Sequence, residues 1–406
     1  MIESYPLITT IVISVVSAFM LGLLANRLHL PTILGYLLAG VLLGPNTPGF
    51  IADSHIAEQL AEIGVILLMF GVGQHFSIKD LARVHRVAVP GAIIQLSVTT
   101  AICLAVAMFL RHDFLESLVF GLTLSVASTV VLLRALEQYR LLDSHVGKVA
   151  VGWLIVEDIA MVVALVLLPV FSDMLSEDGK LDPRIVFEAV LLVILKISAF
   201  IMVMMVFGKK LLPKLLTAIS KTKSRELMSL GILAIASGFA YIAYTLFGTS
   251  FALGAFMAGF VLNESEIGKK SAEKSLPLRD IFAVLFFVSA GMLFNPSVIT
   301  KEPALVFAAF LLVVVGKAII TFFLMRLFRQ SVYNSLVLAV SLAQIGEFSF
   351  ILTALALKLE IFSHILYDMV IASAIISITL NPFLFKIVQK FKPKISEINL
   401  AKTEKI

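Results

Sequence analysis

The sequence predicts an all-α polytopic membrane protein with thirteen transmembrane helices in two inverted repeats. Three observations predict this fold class: the apolar composition, the number of apolar segments of membrane-spanning length, and a pattern that recurs in the two halves of the chain. Of the 406 residues, 60% are hydrophobic and 15% are charged, and the mean hydropathy is +1.03. A soluble domain of this length could not hide so much apolar surface.

The predicted helices correspond to apolar segments that begin with a retained first span, because no basic region precedes residues 7–26 and no cleavage site follows them. The second, third and ninth segments are short for a hydrocarbon core of about 30 Å, so we expect some of them to break or tilt. In chain order, the segments are 5–26, 31–45, 58–73, 87–110, 115–139, 146–171, 184–208, 226–247, 249–264, 277–295, 303–328, 331–357 and 365–389.

Lys and Arg residues predict the orientation. In and beside the loops that follow odd-numbered segments there are 19 of them, against 5 for the even-numbered segments. Because cytoplasmic loops carry the excess of Lys and Arg, we expect the N-terminus outside and the C-terminus in the cytoplasm. The net charge of +5 is explained by this flanking distribution and does not indicate a nucleic-acid partner.

Short motifs recur seven segments apart. Seven is odd, so the two copies cross the membrane in opposite directions, which is the inverted-repeat plan of secondary transporters. The matching pairs are LGYLLAGV (34–41) with LGAFMAGF (253–260), GQHF (73–76) with GMLF (291–294), and LTLSVAS (122–128) with LAVSLAQ (338–344).

The repeats define the expected domain organisation. A transmembrane domain over residues 1–390 contains repeat one (about 5–171), a linker helix (about 184–208) and repeat two (about 226–389). Residues 391–406 form a predicted cytoplasmic tail.

An acidic pair, Glu157 and Asp158, lies in the middle of the sixth apolar segment. An acidic residue at the centre of a membrane helix costs roughly 2.5 to 3.5 kcal/mol on the insertion scale. Such residues are tolerated when they line a water-filled cavity, pair with cations or carry protons. The second repeat lacks this carboxylate, because position 374 is an alanine. The pattern favours a functional site, with a structural ion pair as the alternative.

Lys317 is a buried cation of the eleventh segment, in LLVVVGKAIITFF. Because it lies too deep to reach the interface, we expect it to have a partner, with Glu157 or Asp158 as the candidates. The first repeat has Ala101 at the equivalent position. A purely structural counter-ion remains the alternative.

Polar clusters predict unwound stretches in the fifth and twelfth segments. Freed carbonyls and hydroxyls at a helix break suit a hard monovalent cation such as Na⁺ or K⁺. Ser and Thr also pack helices closely, which is the alternative explanation. For Glu347 we favour a role in balancing the helix ends over direct binding of the cation. The clusters contain Thr123, Ser125, Ser128 and Thr129 in TLSVASTVV, and Ser341, Gln344, Glu347 and Ser349 in SLAQIGEFS.

These motifs together resemble the second monovalent cation:proton antiporter family, and within it the Kef-type potassium/proton systems. The resemblance covers residues 5 to 389 and is carried by TLSVASTVVLLRAL, GWLIVEDIA, SLAQIGEFSFIL, PTILGYLLAGVLLGP and the lone Lys317. It implies the sodium/proton-antiporter fold of thirteen helices with two broken, crossing helices, in a homodimer in the cell inner membrane. Segments 4–6 and 11–13 would form a moving core, and segments 1–3 and 8–10 a dimer domain.

The resemblance also implies roles for individual residues. Asp158 matches the aspartate that binds the cation and the proton, and Lys317 matches a basic residue found in many relatives. Position 157 departs from the pattern, because relatives tend to carry Asp, Asn or Gln there, so the stoichiometry stays open. Kef-type proteins usually carry a cytoplasmic nucleotide-binding regulatory domain, and we expect it to be absent from residues 391–406.

The expected function is therefore exchange of a monovalent cation, K⁺ favoured over Na⁺, for protons by alternating access. Asp158, Glu157, Ser128 and Thr129 are the expected cation and proton site. The expected charge-compensating or gating residues are Lys317, Glu347, Gln344 and Ser125.

Three other functions were weighed against exchange. The main alternative is a ligand-gated potassium efflux channel, although the sequence has no filter-like TVGYG run. An aspartyl protease would need a second buried aspartate, so we expect no enzyme. The buried carboxylates also favour a cation over an organic anion. No cofactor is expected, and the single Cys103 supplies neither a disulfide nor a metal framework.

Overall fold

A computed structural model describes residues 6–48, 53–75, 78–176, 191, 195–196, 198–247, 250–263 and 266–392. The helices in these residues, in chain order, are α1 (Pro6–Arg27), α2 (Thr32–Leu43), α3 (Ser54–His75), α4 (Ile78–Phe109), α5 (Phe114–Ser125), α6 (Thr129–Gln138), α7 (His145–Ser176), α8 (Lys209–Lys221), α9 (Arg225–Phe247), α10 (Phe251–Asn263), α11 (Glu266–Leu293), α12 (Pro303–Leu327), α13 (Val332–Leu342), α14 (Glu347–Lys358) and α15 (His364–Gln389). A one-turn helix (Val298–Lys301) precedes α12.

Nine spans in the described part of the chain are long and apolar enough to cross a membrane. Two of them are interrupted: Phe114–Gln138 contains α5 and α6, and Val332–Lys358 contains α13 and α14. Helices α2 and α10 are apolar but have only 12 and 13 residues. The predicted linker helix at 184–208 lies largely outside the described residues, so the count of thirteen spans stays a prediction.

Four helices end in the same backbone geometry, at spacings close to the offset of the predicted repeat. Arg111 after α4 and Arg329 after α12 both have a positive φ, at 67° and 57°, and lie 218 positions apart. Arg140 after α6 and Glu360 after α14, 220 positions apart, have φ of 54° and 57°. In each case the next N–H group bonds back to the last turn of the helix, which closes it. Helices that the predicted repeat pairs therefore end in the same way.

The first of two compact units packs its helices at very short distances. Gly40 of α2 lies against the carbonyl of Val288 in α11, and Gly259 of α10 lies against the carbonyl of Phe70 in α3. A side chain at either glycine would strike main-chain atoms, so these helices approach more closely than larger residues allow. The unit comprises Met1–Ala82, Asp158–Pro303 and Phe350–Ala372.

The second unit is built around a separate apolar core. Trp153 of α7 is fully buried there with Leu132 of α6 and Leu338 of α13. Phe385 of α15 is also buried, and its ring stacks on Tyr139 with centroids 5.7 Å apart. This core holds both interrupted helices in place. The unit comprises Arg83–Glu157, Ala304–Ser349 and Ser373–Ile406, so the division falls between Glu157 and Asp158.

Candidate functional site

The first helix break separates α5 from α6. Helix α5 ends at Ser125, and the chain is extended at Val126 and at Ser128, where ψ is 139° and 122°. Ser128 then caps α6, because its hydroxyl accepts the N–H of Val131 at 3.2 Å. The break predicted from the serines and threonines of this segment is thus present. It leaves the C-terminal end of one half-helix and the N-terminal end of another inside the second unit.

The second break separates α13 from α14 and has the same form. Helix α13 ends at Leu342, and α14 begins at Glu347. Residues 343–346 between them are fully buried, with no exposed position on which water could replace the missing helical hydrogen bonds. The N–H groups of Ala343 and Gln344 still donate to main-chain carbonyls, at 3.2 and 2.8 Å, and the N–H of Ile345 donates to the hydroxyl of Ser377 at 3.4 Å.

Gln344 joins the two unwound stretches. Its Oε1 accepts the N–H of Ser128 at 3.1 Å, and its Nε2 donates to the carbonyl of Ser128 at 3.1 Å. The same Nε2 also donates to the carbonyl of Ser341 at 3.3 Å. Gln344 and Ser128 are 216 residues apart, which is the offset at which the predicted repeat aligns them. The amide of Gln344 thus satisfies both main-chain groups of Ser128.

Lys317 lies at the negative ends of the half-helices. It is fully buried and follows a π turn at Leu312–Gly316. The three donors of its ammonium reach main-chain carbonyls. Partial negative charge collects at helix C-termini, so a cation there is stabilising. The acceptors are the carbonyls of Leu124 at 3.4 Å, Val126 at 3.3 Å and Gln344 at 2.8 Å.

These contacts correct one expectation about Lys317. Of the two expected partners, Glu157 forms no direct ion pair with it, since no salt bridge joins the two side chains in the part of the chain that is described, and the pairing with Asp158 stays a prediction. The reason is that the unwound carbonyls already use every donor of the ammonium. Glu157 still lies close enough for electrostatic attraction to Lys317. The sequence could not distinguish a side-chain partner from a ring of carbonyls.

Glu347 lies at the positive helix ends. Its Oε2 accepts the Ser128 hydroxyl at 2.8 Å, and its carboxylate also accepts the main-chain N–H groups of Thr129 and Val130. Those N–H groups belong to the first turn of α6, where an anion is stabilised by the helix dipole. Glu347 is itself the first residue of α14. The geometry supports the predicted role of Glu347 in balancing the helix ends.

The acidic pair lies near the middle of α7 and is buried. Glu157 is 1% exposed, and its Oε2 accepts the N–H of Ala127, in the first unwound stretch, at 2.9 Å. Its Oε1 has no hydrogen-bond partner among the residues that the structure describes. Asp158 is 5% exposed and is the first α7 residue of the other unit. Glu157 is therefore tied to the broken helix, together with Lys317 and Glu347.

The remaining predicted residues are placed as follows. The hydroxyl of Ser125 donates to the carbonyl of Leu122 in its own helix at 2.7 Å, which is ordinary back-bonding of a helical serine. Thr129 is half-buried at the start of α6. The predictions for both residues as site members remain predictions.

Gln95 of α4 is a polar residue that the sequence analysis missed. Its Oε1 accepts the indole N–H of Trp153 at 3.2 Å, and its Nε2 donates to the carbonyl of Ser125 at 3.1 Å. It thus satisfies the last carbonyl of α5 and orients the tryptophan that precedes the acidic pair. The sequence signal that could have identified Gln95 is a single uncharged amide inside an apolar segment.

Oxygen atoms are the polar groups that the second unit presents at the two breaks. Among the described residues, no group of three or more His, Cys, Asp or Glu side chains could hold a metal ion. What the second unit offers instead is the unwound main chain with its hydroxyls, and Lys317 already occupies the carbonyls nearest the break.

We expect Gly346→Ala to destabilise the break between α13 and α14. A Cβ at this position would strike the carbonyl of Ala127 in the other unwound stretch, and that main chain is fixed by Glu157. Overpacking of this kind costs about 1–3 kcal/mol. The apparent melting temperature of the purified protein in detergent would report the loss.

Gly238→Ala is the matched control, because a Cβ there meets nothing within 4 Å. In the middle of α9 it should leave the melting temperature unchanged or raise it slightly. Equal melting temperatures for the two variants would show that the close approach at Gly346 is not a constraint.

Comparison with protein families gives one decisive match. The model of the sodium/hydrogen exchanger family, described as transmembrane, matches residues 15–390. The chain belongs to this family. The resemblance to cation:proton antiporters is thereby confirmed, and so is the expectation that the protein is a membrane transporter and not an enzyme.

Two curated relatives of this exchanger-family chain carry informative names. The putative cation/proton antiporter YbaL of Escherichia coli (strain K12) is 51% identical over 399 residues, which cover 98% of this chain and 70% of the relative. K(+) efflux antiporter 4 of Arabidopsis thaliana is 31% identical over 385 residues, which cover 94% of this chain and 64% of the relative.

A solved structure shows the fold that exchanger-family members share with this chain. The sodium proton antiporter MjNhaP1 from Methanocaldococcus jannaschii, solved at pH 8, matches with a TM-score of 0.72 at 17% sequence identity. The match covers 95% of this chain and 98% of that protein. The overall helical architecture is therefore that of this antiporter.

Proposed function

We propose that this protein is a secondary active transporter that exchanges a monovalent cation, K⁺ in preference to Na⁺, for protons. The observation that carries the proposal is the acidic pair, Glu157 and Asp158, buried in the middle of a spanning helix of an exchanger-family chain. Buried carboxylates in a membrane helix are costly unless they serve ions or protons. The names of the relatives, a putative cation/proton antiporter and K⁺ efflux antiporters, support the preference for K⁺.

Within this proposal, Asp158 holds either a proton or the cation. Its burial, its mid-span position and the GWLIVEDIA motif support this assignment. Ser128, Thr129 and unwound carbonyls are the proposed additional oxygen ligands. Lys317 and Glu347 compensate the charges of the helix ends, and Gln344 positions the two breaks. Glu157 links the acidic pair to the first break through Ala127.

The transport cycle that we propose is alternating access. The proposed architecture has thirteen spans in two inverted repeats and forms a homodimer in the cell inner membrane. Its N-terminus lies outside and its C-terminus lies in the cytoplasm. The equivalent helix ends and breaks of the two halves support the repeats, and the Lys and Arg distribution supports the orientation.

Flux measurements on the purified protein in liposomes test the proposal. With a pH-sensitive dye inside, K⁺ or Na⁺ is added outside, with and without a protonophore. We expect K⁺-dependent movement of protons out of the lumen, with a smaller response to Na⁺. The response should saturate with cation concentration, because the cation must occupy a single site on the protein in every transport cycle.

The same preparation distinguishes exchange from the channel alternative. A K⁺ current in planar bilayers that is ohmic and independent of the proton gradient would contradict the proposal. A stronger response to Na⁺ than to K⁺ would retain exchange and overturn only the preference for K⁺.

A further inference from the structure

Helix α8 (Lys209–Lys221) lies at the boundary of the predicted membrane region. It follows a π turn at Met204–Gly208, and its last residue is separated by residues 222–224 from α9. Helix α9 starts at Arg225 and is one of the membrane-spanning candidates. Because so short a link joins them, the last turn of α8 must lie near the level at which α9 enters the bilayer.

One face of α8 packs against its own unit. Leu212 and Leu216 are buried, with 1% and 0% exposure. The side chain of Ile219 lies against Gly231 of α9, where any larger residue would collide with it. These contacts fix the rotation of α8 about its axis. The remaining circumference of the helix is therefore presented to the surroundings in a defined orientation.

A stripe of three lysines occupies part of that circumference. Lys210, Lys214 and Lys221 are all exposed. At about 100° per residue, they fall within about 40° of one another around the helix. No acidic residue occurs from Lys209 to Arg225 to neutralise them.

Exposed leucines form a second stripe directly beside the lysines. Leu211 is 56% exposed and Leu215 is 43% exposed. On the helix they lie between the lysines and the buried face. An apolar stripe beside a cationic stripe is the pattern of a helix that lies in the plane of a membrane interface. Neither stripe is needed for packing within the unit, which Leu212 and Leu216 already provide.

We propose that α8 is an interfacial helix that binds the headgroups of anionic phospholipids. Lys210, Lys214 and Lys221 contact the phosphates, and Leu211 and Leu215 enter the acyl region below them. The charge of the lysine stripe selects anionic lipid, because basic residues near such a surface are attracted to it. The general excess of basic residues in cytoplasmic loops would explain the lysines, but it would not explain why a stripe of exposed leucines lies beside them. The proposal does not depend on which ion the protein transports.

Spin labels test the geometry of α8. Cys103 is the single native cysteine and is buried, so Cys103→Ala provides a background for labels at one site at a time. In liposomes with phosphatidylethanolamine and phosphatidylglycerol, a label on Leu215→Cys should be more accessible to oxygen than to an aqueous nickel chelate. A label on Lys214→Cys should show the reverse. Equal exposure of both labels to the nickel chelate would place α8 in water and overturn the proposal.

A second experiment tests the lipid class. Phosphatidylglycerol is titrated into the purified protein in detergent, and the concentration that half-maximally raises the melting temperature is measured. Each lysine should contribute about 1 kcal/mol, or about fivefold in affinity. The triple variant Lys210→Gln, Lys214→Gln, Lys221→Gln should therefore need about a hundredfold more phosphatidylglycerol than the wild type.

The matched control removes three exposed lysines elsewhere: Lys386→Gln, Lys390→Gln and Lys392→Gln. We expect this variant to respond like the wild type, and phosphatidylcholine to have little effect on any of the proteins. An equal loss in both triple variants would show a non-specific effect of charge. No loss in the α8 variant, with an unchanged melting temperature before lipid is added, would also overturn the proposal.

Discussion

Asp158→Asn should reduce cation-dependent proton movement to the level of empty liposomes while leaving the protein folded. Asparagine has the shape of aspartate but can neither release a proton nor offer a negative charge to a cation. Asp158 is 5% exposed in the middle of α7. Replacing its carboxylate with a neutral amide removes the cost of a buried charge, so the substitution should not destabilise the fold. The prediction is thus a loss of transport without a loss of stability.

Two comparisons sharpen this experiment. Asp143→Asn changes an exposed carboxylate near the start of α7 and should exchange cations like the wild type. Glu157→Gln should retain exchange in part, because the amide oxygen of glutamine can still accept the N–H of Ala127. Transport by Asp158→Asn at the wild-type rate would show that another group carries the proton. If Glu157→Gln lost transport and Asp158→Asn kept it, Glu157 would be the residue that carries the proton.

Lys317→Met should destabilise the protein by about 3–5 kcal/mol, the range found when one partner of a buried charged network is removed. Methionine fills a similar volume but donates no hydrogen bond. The carbonyls of Leu124, Val126 and Gln344 would lose their donor in a region without water. Glu157 would also lose the electrostatic attraction of a buried positive charge in the same unit.

Unfolding of the purified variant in detergent measures this effect, with Lys386→Met as the control for loss of an exposed lysine. The control should unfold at the wild-type temperature. Adding Glu347→Gln to Lys317→Met should cost less than the sum of the two single changes, because the pair compensates opposite helix ends. Full stability of Lys317→Met would show that the carbonyls find other donors and that the charge balance is not structural.

The two helix breaks could be predicted from sequence because their cause is local. Ser128 and Gln344 stand in runs of small and polar residues inside apolar segments, and such residues compete with the helix for main-chain hydrogen bonds. The position of Lys317 in an apolar segment likewise predicted a compensating role. The predicted repeat aligns position 128 with position 344, and in the structure the side chain of Gln344 bonds to the main chain of Ser128.

The identity of the partners could not be predicted in the same way. Lys317 was expected to pair with a carboxylate, yet its ammonium lies on three carbonyls. Main-chain groups leave no trace in composition, and which of them become free depends on the residue at which each half-helix ends. Gln95 was missed for a related reason: its partners, Trp153 and Ser125, are 58 and 30 positions away.

The paired compensation by Lys317 and Glu347 has an electrical consequence. Moving one elementary charge across a membrane potential involves about 2.3 kcal/mol per 100 mV. One positive and one negative side chain that travel together contribute equal and opposite work. The voltage dependence of a transport cycle would then be set by Glu157, Asp158 and the ions that they carry. Movement of the broken helices through the membrane field would then carry no net charge.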